Sequence, residues 1–500
     1  MRFRRVGGLG AVALATFLWV SCGQIYRPVV IPVNNIPPNP ANFHTVFSIN
    51  TNVPFNFGTA MQIDVSGDTE IGAANMGVNP THAAVLPNDS RVFVANAGSQ
   101  DSLDADSVTA FFPASDSRVS TGLGTATVFS LPSGSLPVFV NTTQNNAVFV
   151  ANYGTNSVIQ ITPSTNVISP LTGSVGLHPI AMAETPNAEN LYVADEGDNT
   201  VYNLYPVDLT TQAIIANVGS VPAWMVSRVD GLRVYVVTEG DGNLYTINTV
   251  TNTIMSTEPV GGAGANFVLY DNSLNHLYVT NPTAGAVYVF DATVDPPYRL
   301  ATINVAAPPI SSTTSITTNC ATYTCSYGPV MPVSVAALPD GTRFYVASYV
   351  IGNATSGSNP ATCPDTTVTA AGCIIPQVTV YNALTFAQTT DVFPLLTTFG
   401  APQSFAMTPA SFCAPAVPYT PAAARFRMSA VASVDSTRVY SSLCDAGTVA
   451  VITTTTNSIA VNGNTPDTLV TDLAAPFGAG TPEVNGEPLP QTPVFLLTGQ

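Results

Sequence analysis

Cysteine and carboxylate spacing carries most of the chemistry this chain offers. Seven cysteines occur in 500 residues: Cys22, Cys320, Cys325, Cys363, Cys373, Cys413 and Cys444. There is no CxxC or CxxCH, and the four histidines, His44, His82, His178 and His276, are scattered, so neither a zinc site nor covalent haem is indicated. Setting Cys22 aside leaves an even number, which in an exported chain reads as three disulfides. Local pairing is favoured: Cys320 with Cys325, Cys363 with Cys373, and Cys413 with Cys444. The carboxylates Asp101, Asp104, Asp106, Asp195, Glu196, Asp198, Glu239, Asp241 and Asp445 all stand in turns. Such oxygens suit Ca²⁺ or a cationic partner. Turn chemistry is the preferred reading, because Asp, Asn and Gly are what such turns require and no calcium-loop spacing occurs. No metal or other cofactor is therefore expected, with Ca²⁺ left open. GxSxG, HExxH and the P-loop are absent.

The elements that position these residues repeat. Ala147-Val-Phe-Val-Ala-Asn152, Asn190-Leu-Tyr-Val-Ala-Asp195, Arg233-Val-Tyr-Val-Val-Thr238 and His276-Leu-Tyr-Val-Thr-Asn281 place aromatics at Phe149, Tyr192, Tyr235 and Tyr278, each 43 residues after the last. A fixed period of this size marks a repeat architecture. A lead-in proline (Pro80, Pro179, Pro222, Pro332) opens a short apolar strand. A turn, the aromatic strand, a Gly/Asn/Asp turn and two further strands follow. Four strands and their connections fill such a period, and four-stranded antiparallel sheets stacked by repetition build a β-propeller. Aromatic strands at Phe93, Phe149, Tyr192, Tyr235, Tyr278, Tyr345 and Tyr440 give seven blades, with strands around Met61 to Val65 and Glu70 to Asn75 closing the ring by completing the last. An outer-membrane barrel, which needs longer tilted strands without this super-period, is the weaker alternative.

Composition limits partners. Only 9% of residues are charged, and all thirteen basic residues are arginine, which excludes Schiff-base lysine chemistry. Without Arg2, Arg4 and Arg5, ten basic side chains face thirty acidic ones. Such a surface repels nucleic acid and anionic headgroups. Residues 1–21 read as a secretion signal, an Arg-rich start followed by an apolar run from Val6 to Val20. With Ser21-Cys22-Gly23 the segment resembles a bacterial lipoprotein signal, which implies lipid on Cys22, export, and an outer-membrane lipoprotein of the cell envelope. Trp19 stands where that motif has leucine. Residues 22–43, with Pro28, Pro32, Pro37, Pro38 and Pro40, read as an extended tether. The propeller is assigned to 44–463. A proline-rich tail, 464–500, ends in Pro493-Val-Phe-Leu-Leu-Thr498, which either docks as an extra strand or frays.

The copies Tyr278-Val-Thr-Asn281, Tyr192-Val-Ala-Asp195 and Phe149-Val-Ala-Asn152 resemble the YVTN-repeat propellers of bacterial envelope and archaeal surface-layer proteins. Thr238, Ser348 and Leu443 depart from that pattern. The resemblance implies a seven-bladed propeller, with lactonase-like relatives. In such a ring the second-to-third-strand turns and the inter-blade connections share one face. The long insertions, 97–106, 306–331, 349–377 and 394–427, fall there, as do the six cysteines and the turn carboxylates. Loops on a rigid scaffold concentrate function. The expectation is a non-enzymatic, monomeric, lipid-anchored protein binding an envelope protein or glycan through this disulfide-braced face. The alternative is a periplasmic lactonase-type hydrolase at the channel mouth. His, Arg and carboxylate converging on the channel would favour the hydrolase; a channel of Ala, Val and Ser would favour the binder.

Overall fold

The structure, a computed structural model, describes residues 44–499 except 53–55, 99–105, 114–125, 144–146, 308–324, 328, 355–371, 393–404, 407–412, 414–417, 421–423, 456–465, 477–482, 485–486 and 489–490. Cys22, the signal, the tether, Asp101, Asp104, Cys320 and Cys363 lie outside the described residues, as do the side chains of Cys325 and Cys373. No helix among the described residues is long and apolar enough to cross a membrane.

The chain folds as an all-β propeller of four-stranded antiparallel blades. There are eight, not the seven expected from the aromatic strands. Blades 1 to 7 follow in chain order from the inner strands Pro80–Val85, Pro137–Thr142, Pro179–Glu184, Pro222–Ser227, Phe267–Asp271, Met331–Ala337 and Ala430–Ala432. In the eighth, the closing blade, Thr492–Thr498 is the inner strand, followed outward by Thr45–Asn52, Asn56–Asp64 and Thr69–Val78. The N-terminal strands thus join Thr492–Thr498 in a further blade rather than finishing blade 7. Residues beyond 463 supply two blade strands, Thr468–Ala474 and Thr492–Thr498. The segment Val46-Phe-Ser-Ile-Asn50 is an eighth copy of the aromatic motif, and Phe47 is as fully buried as Phe93 or Tyr192.

Burial explains the strand patterns. Each second strand lies between neighbouring sheets and is buried on both faces, as in Val92–Asn96 and Leu191–Asp195. Outer strands such as Thr253–Pro259 alternate between exposed and half-buried residues, the mark of one solvated face. Each lead-in proline opens a strand because it has no N–H to donate. One residue later the register shifts, at Pro80/His82, Pro137/Phe139, Pro179/Ala181, Pro222/Trp224 and Pro332/Ser334. Such a bulge re-aims the next side chain. The residue before the proline is left-handed in blades 1 to 4, with φ of 54° at Asn79, 48° at Leu136, 59° at His178 and 55° at Val221, a sparsely populated region held by surrounding contacts.

Three insertions converge on blade 6. Its second and third strands lengthen to Arg343–Ala354 and Gly372–Asn382. The backbone of Cys325–Tyr327 pairs on one side of this hairpin and that of Phe405–Ala406 on the other. Downstream, Cys413 forms a disulfide with Cys444, their Cα atoms 5.8 Å apart. This anchors the connection between blades 6 and 7 beside the blade it enters.

Candidate functional site: the mouth of the ring

Residues of the inner strands point at the ring axis: the third residue in Pro80–Val85, Pro137–Thr142 and Pro222–Ser227, the first in Phe267–Asp271 and the fourth in Thr492–Thr498. His82, Phe139, Trp224, Phe267 and Phe495 meet there, joined by Phe426 from the connection into blade 7. His82 stacks on Phe139 with centroids 3.9 Å apart and lies 4.3 Å from Phe495 and 5.7 Å from Trp224. Trp224 in turn contacts Phe267 at 5.5 Å and Phe426 at 5.4 Å. Blades 1 and 4 are not neighbours, so contact between His82 and Trp224 requires that the axis be filled. Among the described residues the axis holds a ring cluster. His82 accepts from the Val140 N–H through Nδ1 at 3.3 Å. Burial holds its imidazole neutral, with a pKa lowered to about 3.

Above this cluster, on the face bearing the insertions, polar groups converge from blades 2, 3 and 4 and from the connection into blade 7. Tyr153 and Glu196 stand in second-to-third-strand turns of blades 2 and 3, and Glu239 in that of blade 4. His178, held by its left-handed backbone, stacks on Tyr153 at 4.4 Å with planes 7° apart. Across the ring comes Tyr419, 2% exposed. Its carbonyl oxygen lies 2.6 Å from Tyr153 Oη, and its N–H donates to Glu196 Oε2 at 3.3 Å. Arg425 lies over the Tyr419 ring at 5.1 Å and donates to the Ala223 carbonyl. Blade 3 stands opposite blade 7, so this connection straps the mouth along a diameter.

Proton accounting limits the hydrogen bonding here. Tyr153 Oη also lies 2.7 Å from Glu196 Oε1. A phenol carries one proton and a carbonyl oxygen only accepts. Both short contacts are hydrogen bonds together when Tyr153 donates to the Tyr419 carbonyl and Glu196, in its acid form, supplies the second proton. Burial raises the Glu196 carboxyl in this direction, against Arg425, the hydrogen bonds with Tyr153 and the Tyr419 N–H, and His178. Burial likewise raises Glu239, to about 7, with Arg425 opposing and Glu196 adding to the shift.

The expected face residues divide accordingly. Of those that lie among the described residues, Glu196 and Glu239 reach the mouth. Asp106 is buried, its carboxyl accepting from backbone N–H groups of Gly134, Ser135 and Leu136, which ties blade 1 to the connection into blade 2. Asp195 is fully buried, accepts from Thr200 and the Gly176 backbone, and is pushed far up by desolvation. Asp198 accepts from the Leu177 N–H, and Asp241 from Thr238 and Tyr245. These turn carboxylates brace connections. Asp445 pairs with Arg427 at 2.8 Å, both 2% exposed, where the strap enters blade 7. Among the described residues no three His, Cys, Asp or Glu side chains converge as a metal site. Sequence reasoning missed Tyr153, Tyr419, Arg425 and the axial rings. The rings did leave a signal, since Ala181, Trp224 and Phe267 fall at the 43-residue step. The strap was marked as the insertion 394–427, but nothing in it marked Tyr419.

No protein-family profile and no curated protein matches the chain. Solved structures match as propellers. Dihydro-heme d1 dehydrogenase NirN aligns at 12% identity over 87% of this chain and 73% of its own, with a TM-score of 0.52. A putative 6-phosphogluconolactonase from Bacteroides uniformis aligns at 12% over 71% and 96%, TM-score 0.45. Virginiamycin B lyase from Staphylococcus aureus aligns at 11% over 55% and 81%, TM-score 0.40. At such identities the likeness establishes the fold and not the chemistry.

Proposed function

We propose that this chain is a non-enzymatic binding protein of the bacterial envelope, anchored by lipid at Cys22, that engages an envelope protein or glycan through its strapped face. The observation that carries the binding role is the sealed mouth: rings fill the axis, and the chain's own Tyr419 occupies the polar cluster. The lipoprotein-like start and the likeness of Tyr278-Val-Thr-Asn281 and its copies to YVTN-repeat propellers support the envelope setting. The immobilised protein should retain a component of solubilised envelope protein or of envelope glycan. Retention should fall with Leu177→Arg and Asp198→Arg on the strapped face, and persist with Asp208→Arg and Asp340→Arg on the opposite face. Equal loss from both pairs, or no retention at all, would overturn the reading.

The second reading, a lactonase-type hydrolase, is favoured by one observation. His178, Arg425, Glu196 and Glu239 do converge, and a carboxyl with a pKa near 7 suits acid–base work. It requires that the strap leave. Turnover of simple lactones or esters that Glu239→Gln abolishes would establish it in place of the binding role.

A further inference from the structure

Tyr419 is held the way a bound peptide is held. Both main-chain polar groups of the residue are read, the carbonyl by Tyr153 and the N–H by Glu196, and the ring is enclosed edge-on to Tyr153 at 6.5 Å beneath Arg425. These partners belong to blades 2 and 3 and to the strap itself. No strand pairing holds the described residues Pro418–Thr420, so the side chains of the mouth make the contact. Main-chain recognition of this kind is indifferent to covalent attachment, while an enclosed aromatic ring supplies selectivity.

We propose that the recess formed by Tyr153, His178, Glu196 and Glu239 is a binding site for an extended peptide segment carrying tyrosine, and that Tyr419 occupies it in cis as a tethered competitor. This rests on the binding role above and names its partner class. The tether is short: the Cys413–Cys444 disulfide lies six residues before Tyr419, and Arg427, paired with Asp445, lies eight after it. Tethering of this kind raises the local concentration of the cis segment to the millimolar range and sets the threshold a partner must exceed.

Trp19→Phe in the full chain leaves Trp224, which touches the strap residue Phe426, as its sole tryptophan. With Tyr419→Gly added, the capped peptide Pro-Tyr-Thr should change Trp224 emission saturably. The apparent affinity should be at least ~10-fold weaker when Tyr419 is present, because the cis segment competes. Glu196→Gln, which keeps the acid-like hydrogen bonding, should retain binding, and Glu196→Ala should lose it. Absence of a saturable response in a cooperatively folded Tyr419→Gly chain overturns the proposal. So does equal binding with Tyr419 present, or an equal response to Pro-Ala-Thr. Should Tyr419→Gly not fold, the wild-type chain serves: the peptide at about 10 mM should accelerate amide exchange at Tyr419 by displacing it, and unchanged exchange overturns the proposal. Failure here with envelope retention intact leaves the binding role standing and removes only the peptide site.

Discussion

The two faces of the ring are held together by different physics. On the face opposite the strap, a residue at or near the start of an aromatic strand reaches the third-to-fourth-strand turn of the next blade. Arg91 donates to Asn166 at 2.6 Å, Tyr192 to Asn252 at 2.6 Å, and Arg228 and Arg233 pair with Asp295 at 3.0 and 2.8 Å. His276 meets the Phe386 ring at 5.8 Å, Arg343 and Tyr345 share Asp467, and Arg438 pairs with Asp68 at 2.8 Å across the joint to the closing blade. Each tie spans one joint between neighbours. On the strapped face a single connection crosses the diameter, held by a disulfide, one buried ion pair and the contacts of Tyr419. One face carries ties between neighbours alone; the other has local ties too, as from Leu177 to Asp198 and from Val221 to Asn199, and adds one connection across the diameter. Loss of a clasp should therefore open a joint of the ring, whereas loss of the strap contact should open only the mouth.

The largest expected effect tests the clasps. Arg438→Ala leaves Asp68 without its buried partner at the closing joint, which should cost about 3–5 kcal/mol. Tyr235→Ala, a large-to-small change inside the blades, should cost a similar ~3–5 kcal/mol. Denaturant titration should show both as losses of global stability. A smaller loss than for the strap changes below would break the comparison.

Replacement of Cys413 and Cys444 by Ser releases a loop closed over 31 residues, worth about 3–4 kcal/mol by the chain-entropy estimate. Because the loop belongs mainly to the strap, part of that loss should appear as local opening. Amide exchange should rise at Tyr419 and Phe426 before it rises in the aromatic strands. Simultaneous exchange everywhere would place the strap inside the cooperative unit of the ring.

The pH response separates mouth from axis. Glu196 and Glu239 have raised folded-state pKa values, so their contribution is present below about 4.5 and is lost as pH rises through about 7 for Glu239. His82 has a lowered one, so its contribution is present above about 6.5 and is lost as pH falls toward about 3. Between these limits the two act in opposite directions. Glu239→Gln should remove the loss seen as pH rises from about 4.5 to about 7, and His82→Phe the loss seen as pH falls from about 6.5 toward about 3, each read from stability against pH. If Glu239→Gln leaves the slope up to about pH 7 unchanged, the mouth does not carry it.

Least of all should follow from Asp208→Ala, a change in an exposed turn that should leave the denaturant midpoint nearly unmoved. A larger loss in denaturant titration would mean that the clasp face depends on turn charges as well as on joints.

The repeat was legible because each second strand must bury an aromatic between two sheets, and that requirement recurs with the blade. The blade count was not, because no inner strand stands directly before Val46-Phe-Ser-Ile-Asn50, as one does before each of the other copies. Its inner strand is supplied from the other end of the chain, and strand pairing across that separation has no local signature. The same reason governs the clasps. Arg91, Arg233, Arg343 and Arg438 stand at corresponding positions in the sequence, but their partners lie in the next blade and become visible only when the ring closes.

By itself the sequence determined strand order within blades, the buried aromatics and the face on which insertions gather, since these follow from local periodicity, and it favoured the Cys413–Cys444 link that the structure shows. Tertiary structure decided the eighth blade, the ring-filled axis and the meeting of Tyr419 with Tyr153 and Glu196. Those contacts join residues 266 and 223 positions apart, and only closure of the ring, by bringing opposite blades within reach of one strap, turns scattered turn residues into a site.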